Sequence, residues 1–252
     1  MSGWVRVIGL GPGPAAWRTP EATATLEGAN DIVGYEPYLQ RLALRPDQRA
    51  HASDNRAELA RARLALGLAE EGRGVAVVSG GDPGIFAMAA AVFEAIEEQP
   101  CWRALDVQVA PGVSAMQAAA ARLGAPLGHD FCAISLSDNL KPWAVVERRL
   151  KAAAEADFVI ALFNPASMAR PARLNDAFGL LLATKSEATP VAFARAVGRP
   201  DERLTLSTLG EADASRADMA TLVIVGSSET RLVPRGDGRA WMLTPRCYGA
   251  PR

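Results

Sequence analysis

Short apolar runs alternate with alanine- and leucine-rich stretches of helical length along most of the chain, and this alternation constrains the fold more than any other feature. The apolar runs predict strands at 4–10, 31–34, 74–79, 105–109, 131–136, 157–163, 189–195, 203–207 and 221–226. Helices are predicted near 19–28, 56–71, 85–98, 114–122, 142–155 and 171–184. Strands that alternate with helices favour a largely parallel sheet covered by helices, so the predicted fold class is α/β.

A short linker rich in glycine, proline and histidine, RLGAPLGHDF at 122–131, divides this pattern in two. The strands that close the second part have little helix between them, which indicates a mixed, partly antiparallel sheet. We therefore predict two α/β domains, at 1–121 and 122–234. The polar run that follows, 235–252, is predicted to be an irregular tail or an arm that contacts a partner.

Composition and charge argue against several classes of function. The formal net charge of the 252 residues is −1, so the chain has no bulk positive field for nucleic acid or an anionic membrane. No apolar stretch approaches the roughly 20 residues that span a bilayer, and the N-terminus lacks the pattern of a signal peptide. Three cysteines without a C-x-x-C spacing suit the reducing cytoplasm, and two histidines offer no metal site of usual spacing. We predict a cytoplasmic protein that binds no nucleic acid, membrane or metal.

The first predicted strand ends in a loop rich in glycine and proline, GLGPGPAAW at 9–17. Strand, glycine turn and helix is how a dinucleotide-binding domain begins, but Gly13 comes one position too early for G-x-G-x-x-G. Pro12 and Pro14 stand where backbone N–H groups would hold a pyrophosphate, and proline has no N–H to donate. The loop is therefore predicted to face a ligand without a diphosphate.

Three further loops follow predicted strands, at the edge where open α/β sheets bind ligands. They carry GGDPGIF at 80–86, PGVSA at 111–115 and FNPAS at 163–167. Each has a simpler explanation when it is taken alone. Asp82 and Ser114 suit helix N-caps, and an asparagine before a proline is a common turn.

GLGPG, GGDPGIF and PGVSA, in this order and spacing, resemble the tetrapyrrole methylases, S-adenosylmethionine-dependent enzymes of cobalamin and sirohaem synthesis. The resemblance extends from Val7 to about Val225. Longer strings, DIVGYEPYLQR (31–41), ISLSDNLKPW (134–143) and ALFNPAS (161–167), are similar to the precorrin-3B C17-methyltransferase branch. The resemblance implies two α/β domains with the methyl donor folded in a cleft between them.

The resemblance also implies which residues bind the donor. S-adenosyl-L-methionine is expected to contact, mainly through backbone atoms, Pro12, Gly81, Asp82, Pro83, Ile85, Ser114, Ala115, Asn164 and Ala192. Two positions depart from the family pattern. Phe163 replaces an expected tyrosine, and Pro14 replaces an acidic residue that often follows GPG, so the first loop offers no catalytic acid.

The substrate implied by the resemblance is precorrin-3B, a macrocycle with many carboxylates that is methylated at C17 while its ring contracts. Arginine suits such carboxylates, and Arg195, at the end of a predicted strand, is the strongest candidate to bind one. The weaker candidates are Arg56, Lys141 and Arg173. Asp138 is predicted as a catalytic polar group near the macrocycle, and its rivals are Tyr35 and Glu36.

Further expectations and alternatives follow from the same resemblance. The family implies a homodimer, which the apolar side chains of Trp17, Trp143 and Trp241 favour. A uroporphyrinogen methylase, a diphthine synthase, an rRNA ribose methylase or a cobalt-factor III methyltransferase would keep the donor loops and change the substrate. A non-catalytic nucleotide- or tetrapyrrole-binding module and a Rossmann dehydrogenase are alternatives of another class. The near-neutral charge disfavours RNA, and the prolyl first loop disfavours the dehydrogenase.

Overall fold

The computed structural model describes residues 3–166 and 171–249. The chain divides into two compact units, Met1–Ala115 and Met116–Arg252. The boundary that we predicted, 121/122, lies inside the helix Ala115–Leu123, and nearly all of this helix groups with the second unit.

The first unit is a five-stranded parallel sheet with helices on both faces. In chain order it contains β1 (Trp4–Gly9), α1 (Pro20–Gly28), β2 (Asp31–Tyr35), α2 (Glu36–Leu39), β3 (Arg49–Ser53), α3 (Glu58–Glu70), β4 (Gly74–Ser79), α4 (Met88–Glu98) and β5 (Asp106–Ala110). The strand order is β3-β2-β4-β1-β5 and every pair is parallel. All five carboxyl ends therefore lie at one edge of the sheet.

The central strands of this sheet are buried on both faces. Val5 and Val7 of β1 pack with α3 and α4, whereas Ile8 packs with α1 on the other side. Because helices cover both faces, β1 and β4 are continuous apolar runs. The alternation in the sequence is thus explained by the layers of the fold.

The second unit contains a mixed sheet, which confirms the predicted fold class. Its elements are α5 (Ala115–Leu123), β6 (Gly124–Ala125), β7 (Phe131–Ser135), α6 (Trp143–Glu155), β8 (Val159–Phe163), α7 (Arg173–Leu182), β9 (Pro190–Arg195), β10 (Arg203–Thr208), β11 (Thr221–Val225), β12 (Arg231–Pro234) and β13 (Ala240–Leu243). The main sheet has the order β10-β9-β11-β8-β7, in which only β7 and β8 form a parallel pair. β10 and β11 both pair with β9 in antiparallel, as predicted for the strands at 189–195, 203–207 and 221–226.

Two segments for which we predicted a linker and an irregular tail each contain a strand of the second unit. The linker at 122–131 contains β6, and the terminal run at 235–252 contains β13, which pairs with β6 in parallel and with β12 in antiparallel. Met242 is fully buried, and the Thr244 N–H donates to Ala125 O at 2.9 Å. A two-residue strand has no periodicity, so the sequence carried no signal for this small sheet.

Asp157, just before β8, forms a partly buried ion pair with Lys185 and also contacts the C-terminal run through Tyr248. Lys185, whose side chain is 3% exposed, bonds through Nζ to Asp157 Oδ1 at 3.2 Å. Ser228 Oγ and Tyr248 Oη donate to Asp157 Oδ2 at 2.6 and 3.3 Å. Burial raises the pKa of Asp157, but the bonds from Ser228 and the charge of Lys185 outweigh it and leave the pKa below its usual value.

Asp157→Asn is expected to lower the free energy of unfolding by about 1–2 kcal/mol, because Lys185 loses its counter-charge but keeps its bond to Phe158 O. The depressed pKa of Asp157 gives a stabilisation that is present above the unfolded pKa and is lost as pH falls through the folded pKa. Urea denaturation at neutral pH and well below the pKa of a carboxyl group checks this. A difference between wild type and variant that persists in acid would contradict it.

Candidate functional site

Three loops of the first unit meet at the carboxyl edge of β4, β1 and β5. Gly11 N donates to Gly81 O at 3.2 Å, so the first loop pairs with the GGDPGIF loop. A Cβ added to Gly9 would lie 2.5 Å from Gly81 O and 2.8 Å from Gly112 Cα, which brings in the third loop. The backbones of the three loops are therefore in direct contact, and we call them the loop cluster (9–13, 80–86 and 111–115).

Asp82 fixes the loop cluster with both of its carboxylate oxygens. Oδ1 accepts from Gly84 N at 2.8 Å, within its own loop. Oδ2 accepts from Gly112 N at 2.9 Å, in the third loop. Carboxylates that accept backbone N–H bonds form some of the stronger hydrogen bonds in proteins. Asp82 therefore positions two loops, which extends the simple capping role that its sequence context suggested.

Some residues of the loop cluster have a left-handed backbone conformation, which is rare for residues other than glycine. Gly81 has φ +70°, which glycine adopts at little cost. Phe86 has φ +52° and its side chain is 53% exposed, although a left-handed conformation costs a non-glycine residue about 1–2 kcal/mol. Residues held in this way concentrate at ligand sites.

Arg41 supports the first loop, and sequence reasoning missed it. Its Nη2 donates to Gly13 O at 2.7 Å and to Gly11 O at 3.2 Å. The Thr19 side chain also joins this loop to the third, through a bond of 3.2 Å from Oγ1 to Pro111 O. Arg41 is 28 residues from Gly13 in sequence, so no local pattern could have identified the contact.

The other residues predicted for the donor in this unit lie in the same cluster. Pro83 is buried, and Ile85 N donates to Asp82 O at 3.4 Å. Ser114 is 2% exposed, and its Cα would lie 3.9 Å from a Cβ on Gly81. Ala115 begins α5, and its N would lie 3.8 Å from the same Cβ. The structure thus brings together Pro12, Gly81, Asp82, Pro83, Ile85, Ser114 and Ala115.

In the second unit, Asn164 lies at the carboxyl end of β8, as predicted. It has φ +52°, and its Nδ2 donates to Ser135 Oγ at 2.9 Å, at the end of β7. Ser135 Oγ also accepts from Ser137 N at 3.3 Å. The side-chain amide therefore joins two neighbouring strand ends. The next residues of this loop, 167–170, lie outside the described residues.

Ala192, the other donor residue predicted in the second unit, lies in the middle of β9. It is fully buried in β9, opposite Leu206 and Ile224. The strand reaches the edge of the sheet at Ala196, which has φ +49°. Ala196 therefore has the position after β9 that Asn164 has after β8, and the donor contact of Ala192 stays a prediction.

Asp138 and Arg173, two candidates for the substrate site, bind each other. Arg173 donates from Nε and Nη2 to Asp138 Oδ2 at 3.0 and 2.7 Å, and its guanidinium lies 4.4 Å from the centre of the Trp143 ring. The bond to Asp138 raises the pKa of Arg173. A carboxylate held in this way suits positioning better than proton transfer.

Arg195 is also engaged within the second unit. Its Nε donates to Asp218 Oδ2 at 2.7 Å and its Nη1 to Asp201 Oδ2 at 2.6 Å. These hydrogen bonds, that to Asp201 first, raise the pKa of Arg195. Two carboxylates already balance the guanidinium, which favours a structural role over the predicted contact with a substrate carboxylate.

Arg195→Ala is accordingly expected to change the affinity for a carboxylated porphyrin by less than about threefold, because Asp201 and Asp218 already bind the guanidinium. The effect on stability should also be small, because exposed ion pairs contribute little. The melting temperature should fall slightly, since Asp201 and Asp218 lose their shared partner. Fluorescence titration with uroporphyrin and a thermal melt measure both effects. A porphyrin affinity lower by tenfold or more, with an unchanged melting temperature, would restore the substrate role.

The remaining candidates lie at the β2–α2 junction and in two loops. Tyr35 ends β2 and packs edge-to-face against Tyr38, with ring centres 5.3 Å apart. Glu36 begins α2 and accepts from Gln40 Nε2 at 3.4 Å. Lys141 Nζ donates to Ser137 O at 3.0 Å. Arg56 is exposed and has φ +64°.

The sequence profile of the tetrapyrrole (corrin/porphyrin) methylases matches residues 5–213. The chain belongs to this family. A precorrin-3B C(17)-methyltransferase from Sinorhizobium sp is 59% identical to it over 249 residues, which cover 98% of each chain. A probable cobalt-factor III C(17)-methyltransferase from Salmonella typhimurium is 46% identical over 245 residues, with 96% of this chain and 98% of the relative covered. The crystal structure of the methyltransferase CobJ matches with a TM-score of 0.93 at 50% identity, over 97% of this chain and 100% of that one.

Membership of the tetrapyrrole methylases confirms the resemblance and argues against the alternative of a Rossmann dehydrogenase. This methylase is a homologue of a precorrin-3B C17-methyltransferase over almost its whole length. The cleft between two domains and the donor contacts implied by the resemblance stay predictions.

The loop cluster of this methylase fits a nucleoside donor that has no phosphate. A Cβ at Gly9 or at Gly112 would lie 2.5 Å from Gly81 O, so backbone packs directly against backbone within the loop cluster. Pro12 and Pro83 remove N–H donors that a diphosphate needs. A donor without phosphate groups, such as S-adenosylmethionine, does not need them.

Within residues 3–166 and 171–249, no helix has both the length and the apolar character required to cross a membrane. The same residues contain no group of three or more His, Cys, Asp or Glu side chains placed to hold a metal ion.

Proposed function

We propose that this chain transfers a methyl group from S-adenosylmethionine to C17 of precorrin-3B and contracts the ring to give precorrin-4, a step of cobalamin biosynthesis. The observation that carries the proposal is the 59% identity with a precorrin-3B C(17)-methyltransferase across 98% of both chains. The loop cluster adds chemical support, because its fixed backbone suits the donor.

In the proposed reaction the loop cluster binds and orients the donor. Asp82 holds two of its loops together, and Arg41 holds the first loop. Orientation of the methyl group toward the nucleophilic carbon can lower the barrier by about 7–11 kcal/mol in favourable cases. The conjugated nitrogens of the substrate supply the electrons, so methyl transfer itself requires no strong base from the protein.

We propose Asp138 as a positioning group rather than a proton carrier, and Arg195 as a structural residue. Each lies in an ion pair of the second unit, Asp138 with Arg173 and Arg195 with Asp201 and Asp218. Ring contraction does require a proton to move at the C20 oxygen. We assign that proton to no residue of this chain.

Product analysis tests the proposed function. The protein is incubated with S-adenosylmethionine and either metal-free precorrin-3B or cobalt-factor III, and the products are identified by mass spectrometry. We expect one added methyl group and a contracted ring with precorrin-3B. Turnover of the cobalt form alone would favour the alternative supported by the 46% identity with the Salmonella relative.

Donor binding separates a methylase from a non-catalytic module. Isothermal titration is expected to show a complex with S-adenosylhomocysteine and none with NAD. A protein that binds NAD and not S-adenosylhomocysteine would overturn the proposed function.

We further propose that the methylase acts in the cytoplasm as a homodimer, the state implied by the family resemblance. Trp241 is 45% exposed beside Arg235, and it offers apolar surface to a second copy. Sedimentation at micromolar concentration tests the assembly. A stable species of 26.6 kDa would show a monomer instead.

A further inference from the structure

Arg61 of α3 is a buried cation whose partners are all neutral. The residue is 5% exposed. Its Nε donates to Ser53 Oγ at 2.7 Å and its Nη2 to Asp54 O at 3.0 Å, while Nη1 lies 3.1 Å from Met88 Sδ. A hydroxyl, a carbonyl and a thioether do not balance the charge of a guanidinium. Buried arginines are usually paired, because removing a charge from water is costly.

The electrostatics of Arg61 agree with this geometry. Burial lowers the pKa of Arg61, and Glu58, one turn earlier on α3, opposes the shift without bonding to Arg61. Among the residues that the structure describes, no carboxylate accepts a hydrogen bond from this guanidinium. An external anion would supply the missing charge.

The position of Arg61 relates it to the loop cluster. Ser53 is the last residue of β3, so the guanidinium lies at the carboxyl edge of the first sheet. Met88 is the first residue of α4, which directly follows the GGDPGIF loop. Arg61 thus connects β3, an edge strand of the sheet, to the first residue of α4, which follows a loop proposed to hold the donor.

Two phenol groups lie in the same region. Tyr35 pairs in register with Ser53, the residue that accepts from Arg61 Nε, and Tyr38 packs edge-to-face against Tyr35. A Cβ added to Gly80 would lie 2.7 Å from Tyr38 Cζ and 2.8 Å from its Oη, so the hydroxyl end of Tyr38 rests against the GGDPGIF loop. The region therefore combines one cation with two hydroxyl groups beside the loop cluster.

We propose that Arg61, Tyr35 and Tyr38 form a carboxylate-binding corner for one acidic side chain of the tetrapyrrole. This inference rests on the proposed function. A substrate carboxylate brings the negative charge that Arg61 lacks, and arginine binds carboxylates through strong charge-assisted bonds. The place of the corner beside the loop cluster suits a macrocycle whose reacting carbon must lie next to the donor.

The test compares two arginines of the same helix. Arg61→Gln removes the buried charge, and Arg63→Gln is the matched control, because Arg63 is half exposed and pairs with Glu98 at 2.5 Å. Each protein is titrated with uroporphyrin, which has eight carboxylates, and with its octamethyl ester, using porphyrin fluorescence. Affinity for S-adenosylhomocysteine is measured by calorimetry.

Arg61→Gln is expected to bind uroporphyrin at least about tenfold more weakly, the effect of losing a hydrogen bond to a charged group. The preference for uroporphyrin over its ester should shrink by the same factor, while affinity for S-adenosylhomocysteine stays within about twofold. Arg63→Gln should match wild type in all three. Unchanged preference for the free acid in a folded Arg61→Gln protein would overturn the proposal.

A second variant tests the proposal if Arg61→Gln does not fold. Arg61→Lys keeps the charge, and it should raise the KM for the tetrapyrrole with little change in kcat. If neither variant folds, Arg61 is a structural residue and the proposal fails. Failure of the proposed function is distinct, since the wild-type protein would then bind no S-adenosylhomocysteine.

Discussion

Asp82→Ala is expected to weaken the binding of S-adenosylhomocysteine by about 10- to 100-fold, since the change removes hydrogen bonds to a charged group worth about 1.5–3 kcal/mol each. The carboxylate joins Gly84 N to Gly112 N, so its loss frees the third loop from the second. Every donor-dependent rate should fall together. Isothermal titration and methyl-transfer assays measure both effects.

Two further variants make this expectation specific. Asp82→Asn keeps one oxygen acceptor and should lose less affinity than Asp82→Ala. Asp106→Ala removes a carboxylate of the same sheet that pairs with Arg6 at 2.6 Å at the start of β5, and it should leave donor affinity unchanged. Equal losses in Asp82→Ala and Asp106→Ala would contradict a role in the loop cluster.

Gly9→Ala is expected to abolish most donor binding and to lower the free energy of unfolding by about 1–3 kcal/mol, as overpacking does. The new Cβ would lie 2.5 Å from Gly81 O and 2.8 Å from Gly112 Cα, and both are backbone atoms. The three loops would have to separate to admit the methyl group. Calorimetric titration and urea denaturation report the two losses.

Gly67→Ala is the matched control for Gly9→Ala. Gly67 lies within α3, and a Cβ there would have no atom within 4 Å outside its own helix and chain neighbours. Alanine in a helix interior is favoured over glycine by about 1 kcal/mol, so this variant should be more stable and bind the donor normally. Loss of donor binding in both variants would show that loop contact is not the cause.

The sequence predicted the strands that are buried on both faces of a sheet. β1, β4, β8 and β11 are apolar runs because packed elements cover both faces, and their positions agree with the prediction. The strands β3, β6, β12 and β13 were not predicted, since they are short or lie at the edge of a sheet, where few residues are buried. Their pairing depends on residues far away in the chain.

Some residues of the candidate site could likewise be predicted from a local motif, and others could not. Glycines and Asp82 follow strands directly, so a local motif was enough to place them in the loop cluster. Arg41 and Arg61 act across long separations in sequence and have no motif. The bond from Arg195 Nε to Asp218, 23 residues later, has no signal in the sequence either, and the contact of Arg195 with the substrate stays a prediction.

The pairing of β6 with β13 sets an order of events during synthesis. β6 is among the first residues of the second unit, and its neighbour in the sheet is made more than a hundred residues later, so this sheet can close only after Leu243 has left the ribosome. The strands of the first unit are complete at Ala110. Domains generally fold as units from the N-terminus. The loop cluster can therefore form on the nascent chain before β13, the last strand of the second unit, has been synthesised.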